Sequence, residues 1–384
     1  GGDTNARGQA VEDQVLSRLG GDEFMLVLAG FGGEFEPGTV ATRIIEAVAR
    51  PFHLDDTEIF VSASVGIAVA PDDSAGPSDL IRCAQTALSH AKSLGGNTYI
   101  FYSARMNSDT AARLDLVGRL HHALVADEFE LVYQPIFDAD SRRIRSVEAL
   151  LRWQHPEKGL MLPGEFIPVA EETGLILPLG AWVLEQACRQ WRSWLDAGIG
   201  PVKISVNVSA RRFLDRSFIA HVDDTFACYG VDPAFFEFEL REGILMARGE
   251  ATRATAAALK SRGIGLSLDD FGTGCSSLSH LRDFPADVLK IDRSFVRGVP
   301  ESQENCSLVA AIVAMAHKLR LSVVAEGVET EGQLRFLRAL DCDQVQGFLL
   351  GRPVAPEELE GQLRDVLGGP AGRNVVAFRQ RAVS

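Results

Sequence analysis

The chain has 384 residues, 46% of them apolar, enough to fill two domains or one large barrel with a smaller unit beside it. Its 38 basic and 52 acidic residues leave a formal net charge of −14, which repels a polyanion unless metal ions or a local basic cluster intervene, so neither DNA nor an anionic membrane surface suits it as a partner. The six cysteines, Cys83, Cys188, Cys228, Cys275, Cys306 and Cys342, include no Cys-x-x-Cys pair, which argues against a disulfide framework or a zinc site and fits a reducing cytosol.

No apolar run approaches the roughly 20 residues of a membrane helix, the longest of note being Leu308–Ala316, and the N-terminus lacks a signal-peptide pattern. The expected location is the cytoplasm, either for the chain itself or as the cytoplasmic part of a longer membrane-anchored sensor.

Residues 1–105 hold seven basic and fourteen acidic residues, half the net charge in little more than a quarter of the length, and read as a separate unit. Within it Leu19–Ala29 is a Gly-Gly turn feeding an apolar strand, and Phe60–Ala70 is a second strand-like run. Val40–Ala49 and Leu80–Lys92 carry apolar residues at helical spacing, so the unit is predicted to be α+β. The polar stretch Ser103–Thr110 is the expected boundary, leading into a helix over Ala111–Ala126.

Residues 106–368 follow a different pattern, and 369–384 form a tail. Eight strands are predicted: Leu131–Phe137, Ser146–Trp153, Val202–Val208, Phe235–Leu240, Gly265–Asp269, Val288–Ile291, Ser322–Ala325 and Gln344–Phe348. Amphipathic helices lie between them, notably Ala181–Leu195, with Leu184, Ala187, Cys188, Trp191 and Leu195 on one face, and Cys306–Leu319. Eight strands interleaved with helices over roughly 250 residues suggest an α/β fold, a TIM-type (β/α)8 barrel. A doubly wound open sheet is the competing topology, but no Gly-rich dinucleotide fingerprint follows the first strand.

In such a barrel reactive side chains gather at the C-terminal ends of the strands. Glu148 lies in the second predicted strand, Asn207 near the end of the third, Glu239 at the end of the fourth, and Asp269 with Asp270 at the end of the fifth. Lys290 nearly ends the sixth, Glu326 follows the seventh and Gln346 sits in the eighth. Five carboxylates and an amide on one rim repel each other unless a hard cation sits among them, and oxygen-only ligands indicate Mg²⁺ or Mn²⁺. Adjacent Asp269 and Asp270 suit a pair of ions, the arrangement that clamps both oxygens of a phosphoryl displacement, so phosphodiester hydrolysis is the implied chemistry. Taken singly, each residue has an ordinary reading: a helix cap for Asp269 or Asn207, a snorkelling lysine for Lys290. Their recurrence at the same end of successive strands is what separates them from such a background.

These residues sit in motifs that resemble the EAL family of cyclic di-GMP phosphodiesterases over roughly Leu114–Val366. The motifs are Tyr133-Gln134-Pro135, Glu148-Ala149-Leu150-Leu151-Arg152-Trp153, Phe166-Ile167-Pro168, Val206-Asn207-Val208-Ser209, Glu239-Leu240-Arg241-Glu242, Asp269-Asp270-Phe271-Gly272-Thr273-Gly274, Lys290-Ile291-Asp292, Ala325-Glu326-Gly327-Val328-Glu329 and Gln346-Gly347-Phe348. The resemblance implies metal ligands Glu148, Asn207, Glu239 and Asp269, with Asp270 serving a second ion. It implies that Lys290 and Glu326 position and activate the hydrolytic water, that Arg152 grips a phosphate, and that Gln134 and Gln346 line a cleft for cyclic di-GMP. Glu242 and Glu329 are implied to brace a loop beginning at Phe271. The family usually has Thr where Arg241 stands and an aromatic where Cys275 stands, and its members commonly pair as homodimers.

The N-terminal unit resembles the GGDEF diguanylate cyclase domain through Arg18-Leu19-Gly20-Gly21-Asp22-Glu23-Phe24, Ala63-Ser64-Val65-Gly66-Ile67 and Ala91-Lys92 with Gly96-Asn97. The resemblance is partial: the family's first strand has no counterpart, Gln85 and Ser89 replace an Asp and an aromatic, and Val11-Glu12-Asp13-Gln14 stands where an inhibitory Arg-x-x-Asp belongs. Asp22 and Glu23 remain to hold a guanine nucleotide such as GTP, while a non-catalytic, regulatory role is the better supported reading. Three functions follow: an active cyclic di-GMP phosphodiesterase releasing linear pGpG, a catalytically inactive receptor signalling through the GGDEF remnant, and a bifunctional enzyme that also condenses GTP.

Overall fold

The computed structural model describes residues 14–29, 36–54, 57–59, 61–93, 95–246, 249–272 and 278–367. The chain divides into two compact units between Asp115 and Leu116. Expectations for Phe60, Val11 to Asp13, Cys275, the loop after Gly272 and the tail over 369–384 fall outside the described residues.

In the first unit, strands β1 (Gln14–Gly20) and β2 (Glu23–Leu28) form an antiparallel hairpin. Its turn falls at Gly21 and Asp22, where Gly21 takes φ +54°, a conformation glycine adopts without penalty. Helix α1 (Pro37–Val48) follows, then the antiparallel pair β3 (Phe52–Leu54) and β4 (Thr57–Ile59). Strand β5 (Val65–Ile67) precedes helix α2 (Pro77–Ser93) and pairs in parallel with β6 (Tyr99–Phe101). Helix α2 crosses β5 so closely that a Cβ on Gly66 would lie 2.1 Å from the Ala84 carbonyl, which is why the strand carries glycine there.

Two expectations shift. Among the described residues of the Phe60–Ala70 run only Val65–Ile67 is strand, and residues 61–64 pair with no described strand. Helix α3 (Ala104–Ala123) starts seven residues before the predicted Ala111 and takes in most of Ser103–Thr110, since polar composition suits a helix as well as a linker.

The second unit is a closed barrel. Its strands are β7 (Phe129–Asp138), β8 (Ile144–His155), β10 (Lys203–Asn207), β11 (Phe236–Arg241), β12 (Gly265–Phe271), β13 (Val288–Ile291), β14 (Ser322–Ala325) and β15 (Gln344–Val345), with the short β9 (Gly159–Met161) hanging on β8. They pair in chain order from β10 to β15, then through β7 to β8, and β8 closes the ring on β10. Helices α4 (Pro163–Thr173), α5 (Ile176–Asp196), α6 (Ala210–Phe213), α7 (Phe218–Tyr229), α8 (Gly249–Ser261), α9 (Leu278–Asp283), α10 (Arg293–Val296), α11 (Gln303–Lys318), α12 (Glu331–Ala339) and α13 (Pro356–Leu367) complete it. Among the described residues no helix is long and apolar enough to cross a membrane.

One strand departs from a regular (β/α)8 ring. β7 runs antiparallel to both β8 and β15 while the other ring pairs are parallel. Residues 139–143 between β7 and β8 are too few for the crossover that a parallel pair requires, so the chain can only return as a hairpin. Strand β8 shows how the ring divides its surfaces. Val147, Ala149, Leu151 and Trp153 face outward into the helix layer, where Trp153 packs 5.6 Å from both Phe129 and Phe166, centroid to centroid. Alternate residues, including Glu148, face the barrel axis. Helix α5 buries Val183, Leu184, Ala187, Cys188, Trp191 and Trp194 against the ring, with Leu195 at the margin of that face.

Candidate active site

Strand register assembles the site. Parallel pairing puts Glu148 beside Ser205, Asn207 beside Glu239, Arg241 beside Asp269 and Lys290 beside Val324, while the antiparallel β7 puts Gln134 beside Glu148. Because side chains alternate along a strand, these positions share the inner face, and polar residues from six strands meet near one end of the ring.

Lys290 stands at the centre and is 1% exposed. Its Nζ donates to Glu239 Oε2 at 2.7 Å and to Glu148 Oε2 at 3.3 Å, and it lies 2.6 Å from Glu326 Oε1 and 3.7 Å from Asp269 Oδ1. An ammonium buried this deeply loses its hydration, which by itself favours the neutral amine. The four carboxylates reverse that preference and raise its pKa well above the ordinary lysine value.

Glu148 is held by donors. Asn207 Nδ2 donates to its Oε1 at 2.7 Å and Gln346 Nε2 to its Oε2 at 2.8 Å. Burial drives its pKa up, but the Lys290 charge and these donors outweigh burial and leave it below the ordinary carboxylate value. Gln346 also donates to Gln134 Oε1 at 3.1 Å, and Gln134 in turn donates to the Gly351 carbonyl at 3.0 Å, so β7, β8 and the end of β15 are tied together around one carboxylate.

Glu239 behaves oppositely. It is fully buried, and desolvation with Glu148 beside it raises its pKa well above normal despite Lys290. Glu326 is pushed up to about 8, first by burial and then by Asp269 and Glu148, against the pull of Lys290. Asp270 is raised by burial and by Asp269, with Arg241 opposing. It takes φ +56°, and its Oδ2 lies 3.5 Å from Arg241 Nε.

Arg152 shares the inner face of β8 with Glu148, is half-buried, and donates to the Leu151 carbonyl at 2.8 Å. Glu242 Oε2 accepts from the Gly272 N–H at 2.9 Å, at the start of the segment after β12. Among the described residues the structure does not join Glu329 to this network: it is exposed, and its N–H donates to Gln333. Sequence reasoning overlooked two features. Arg241 reaches Asp270, and a Lys203–Glu237 ion pair lies one layer down the ring from Glu239. The signal for the second was present, since Lys203 and Glu237 precede Ser205 and Glu239 by the strand period of two.

The donor set fits a hard divalent cation. Carboxylate oxygens of Asp269, Asp270 and Glu326 lie within 4.8 Å of one another. Glu239 Oε1 and Asp269 Oδ1 are buried and accept no hydrogen bond among the described residues, as expected of atoms whose proper partner is a metal. Among the described residues the cluster offers oxygen ligands and no His or Cys, which suits a hard cation better than zinc.

A family profile, the EAL domain, matches residues 117–353, and a second, the diguanylate cyclase GGDEF domain, matches 6–98. The chain therefore belongs to the EAL domain family, with a GGDEF domain ahead of its barrel. It is 41% identical over 345 residues to the bifunctional diguanylate cyclase/cyclic di-GMP phosphodiesterase MucR of Pseudomonas aeruginosa, covering 90% of this chain and 50% of the relative. It is 39% identical over 353 residues to the cyclic di-GMP phosphodiesterase NbdA of the same organism, covering 92% and 45%. The chain thus spans about half the length of these curated relatives. Among solved structures, the PaMucR phosphodiesterase in complex with c-di-GMP superposes with a TM-score of 0.62 at 44% identity, covering 64% of this chain and 99% of the other.

Proposed function

We propose that this chain hydrolyses cyclic di-GMP to linear pGpG at the barrel mouth, using two Mg²⁺ or Mn²⁺ ions. The observation that carries the reading is the convergence of Glu148, Glu239, Asp269 and Glu326 on Lys290. Its likeness to a phosphodiesterase solved with c-di-GMP supports the choice of substrate.

In this reading Glu148, Asn207, Glu239 and Asp269 would hold one cation, with Asp270 serving the other. Divalent ions bound there supply charge that offsets the developing negative charge on the phosphate and lowers the pKa of a bound water. Lys290 would orient that water, and Glu326, 2.6 Å from Lys290, would take its proton once its own carboxyl is ionised. Arg152 holds a phosphate oxygen, and the Gln134–Gln346 pair lines the cleft while fixing Glu148. Glu242 steadies the backbone where the chain leaves β12. The first unit acts as a regulatory rather than catalytic module, and pairing as a homodimer completes the proposal.

Incubation with cyclic di-GMP and either ion should release linear pGpG, and Glu148→Ala should abolish release. Tight dinucleotide binding with no turnover in either ion would instead establish a receptor, and dinucleotide formed from GTP would establish cyclase activity in the first unit.

A further inference from the structure

We infer that Arg241 is a positioning residue that competes with the second divalent ion for Asp270, so that the chain binds its two ions with separated affinities. The inference rests on the two-ion reading above and extends it to a residue that reading does not use.

The geometry is specific to this side chain. Arg241 ends β11 in register with Asp269 on β12, and the next residue along β12 is Asp270. From that place its Nε lies 3.5 Å from Asp270 Oδ2. Asp270 is also one of the three residues whose carboxylate oxygens cluster with those of Asp269 and Glu326. A cation and a guanidinium therefore seek the same carboxylate.

The two contestants differ in mobility. Lys290, at the centre of the mouth, is enclosed by Glu148 and Glu239 and cannot leave without stranding buried carboxylates. The Arg241 side chain is 79% exposed, so it can withdraw into water at little cost. It acts as a removable counter-charge: it lowers the repulsion between Asp269 and Asp270 when they are together, and an arriving ion must displace it. Among the described residues Glu148 and Glu239 pair with Lys290 while Arg241 pairs with Asp270, so the Glu148–Glu239 side should feel Arg241 less.

The test is calorimetric titration of the full chain with Mn²⁺, for the wild type, Arg241→Gln and Arg241→Lys. The wild type should show a tight and a weak site. Arg241→Gln should tighten the weak site by about five- to tenfold and leave the tight one within twofold, the scale of removing one exposed like charge beside a divalent ion. Arg241→Lys should restore the wild-type gap, because charge rather than bulk is the cause. Raising the salt concentration should narrow the difference between wild type and Arg241→Gln. Equal weak-site affinity in wild type and Arg241→Gln, or weaker binding in the variant, overturns the inference while leaving the two-ion reading intact. A single site in both proteins, or no Mn²⁺ uptake by either, overturns the two-ion reading and this inference with it.

Discussion

At the scale of single residues the barrel mouth is organised by one buried cation. Lys290 compensates Glu148 and Glu239, which are themselves almost wholly removed from water. Replacing it with Met, of similar length but neutral, leaves those carboxylates uncompensated. In chelator-treated protein, Lys290→Met should lower unfolding stability by about 3–5 kcal/mol in a urea titration. Part of that loss should return with Mn²⁺, which would take over the counter-charge. A smaller residue exerts control at a distance. A Cβ on Gly347 would lie 2.1 Å from the Val328 carbonyl, so Gly347→Ala must move the segment that carries Gln346 and, through it, Glu148. We expect turnover of cyclic di-GMP to fall by about tenfold or more while the protein remains folded by circular dichroism.

At the scale of elements the β7–β8 hairpin does the most to shape the ring. Its tight return is built on Asp138, whose Oδ1 accepts from the Ser141 N–H at 2.8 Å and from Ser141 Oγ, and whose Oδ2 accepts from Arg145 at 2.7 Å. Burial alone would raise the Asp138 pKa, but the Ser141 and Arg145 donors prevail and lower it below the ordinary value of 3.8. A depressed folded value means the contribution is fully present above pH 3.8 and disappears as the pH falls through the folded value. Asp138→Asn should therefore cost about 1 kcal/mol at neutral pH. The difference from wild type should begin to shrink only as the pH falls below 3.8, which unfolding curves measured from neutrality into that range would reveal. The strand positions were legible because apolar residues recur along each, with the polar candidates set among them or just beyond them. The direction of the first strand was not read, although the five residues 139–143 already carried it through the length a crossover needs.

At the scale of the whole molecule the net charge of −14 has a local counterpart in the acidic cluster, and divalent ions should relieve it. Ions that bind only the folded barrel stabilise it by mass action, so Mn²⁺ or Mg²⁺ at a hundred times its Kd should add about 2.7 kcal/mol and raise the unfolding temperature. Glu239→Gln should lose most of that increment. A differential scanning calorimetry trace unmoved by either ion would remove the metal site from consideration.

The residue types at the strand ends, their order, and the hard-cation chemistry of an all-oxygen set belong to the sequence, because composition and spacing carry them without reference to any partner. Tertiary structure decided what those residues do to one another. Lys290, read as a positioner of the hydrolytic water, becomes the shared counter-ion of four carboxylates only once β8, β11, β12 and β14 are brought around it. Glu148 is held ionised and Glu239 is driven toward its neutral form, though both are buried glutamates on the inner faces of the two strands that flank β10. That difference arises from which donors reach each oxygen. Hydrogen-bond reach and desolvation depend on distances between strands far apart in the chain, and no local pattern encodes such distances.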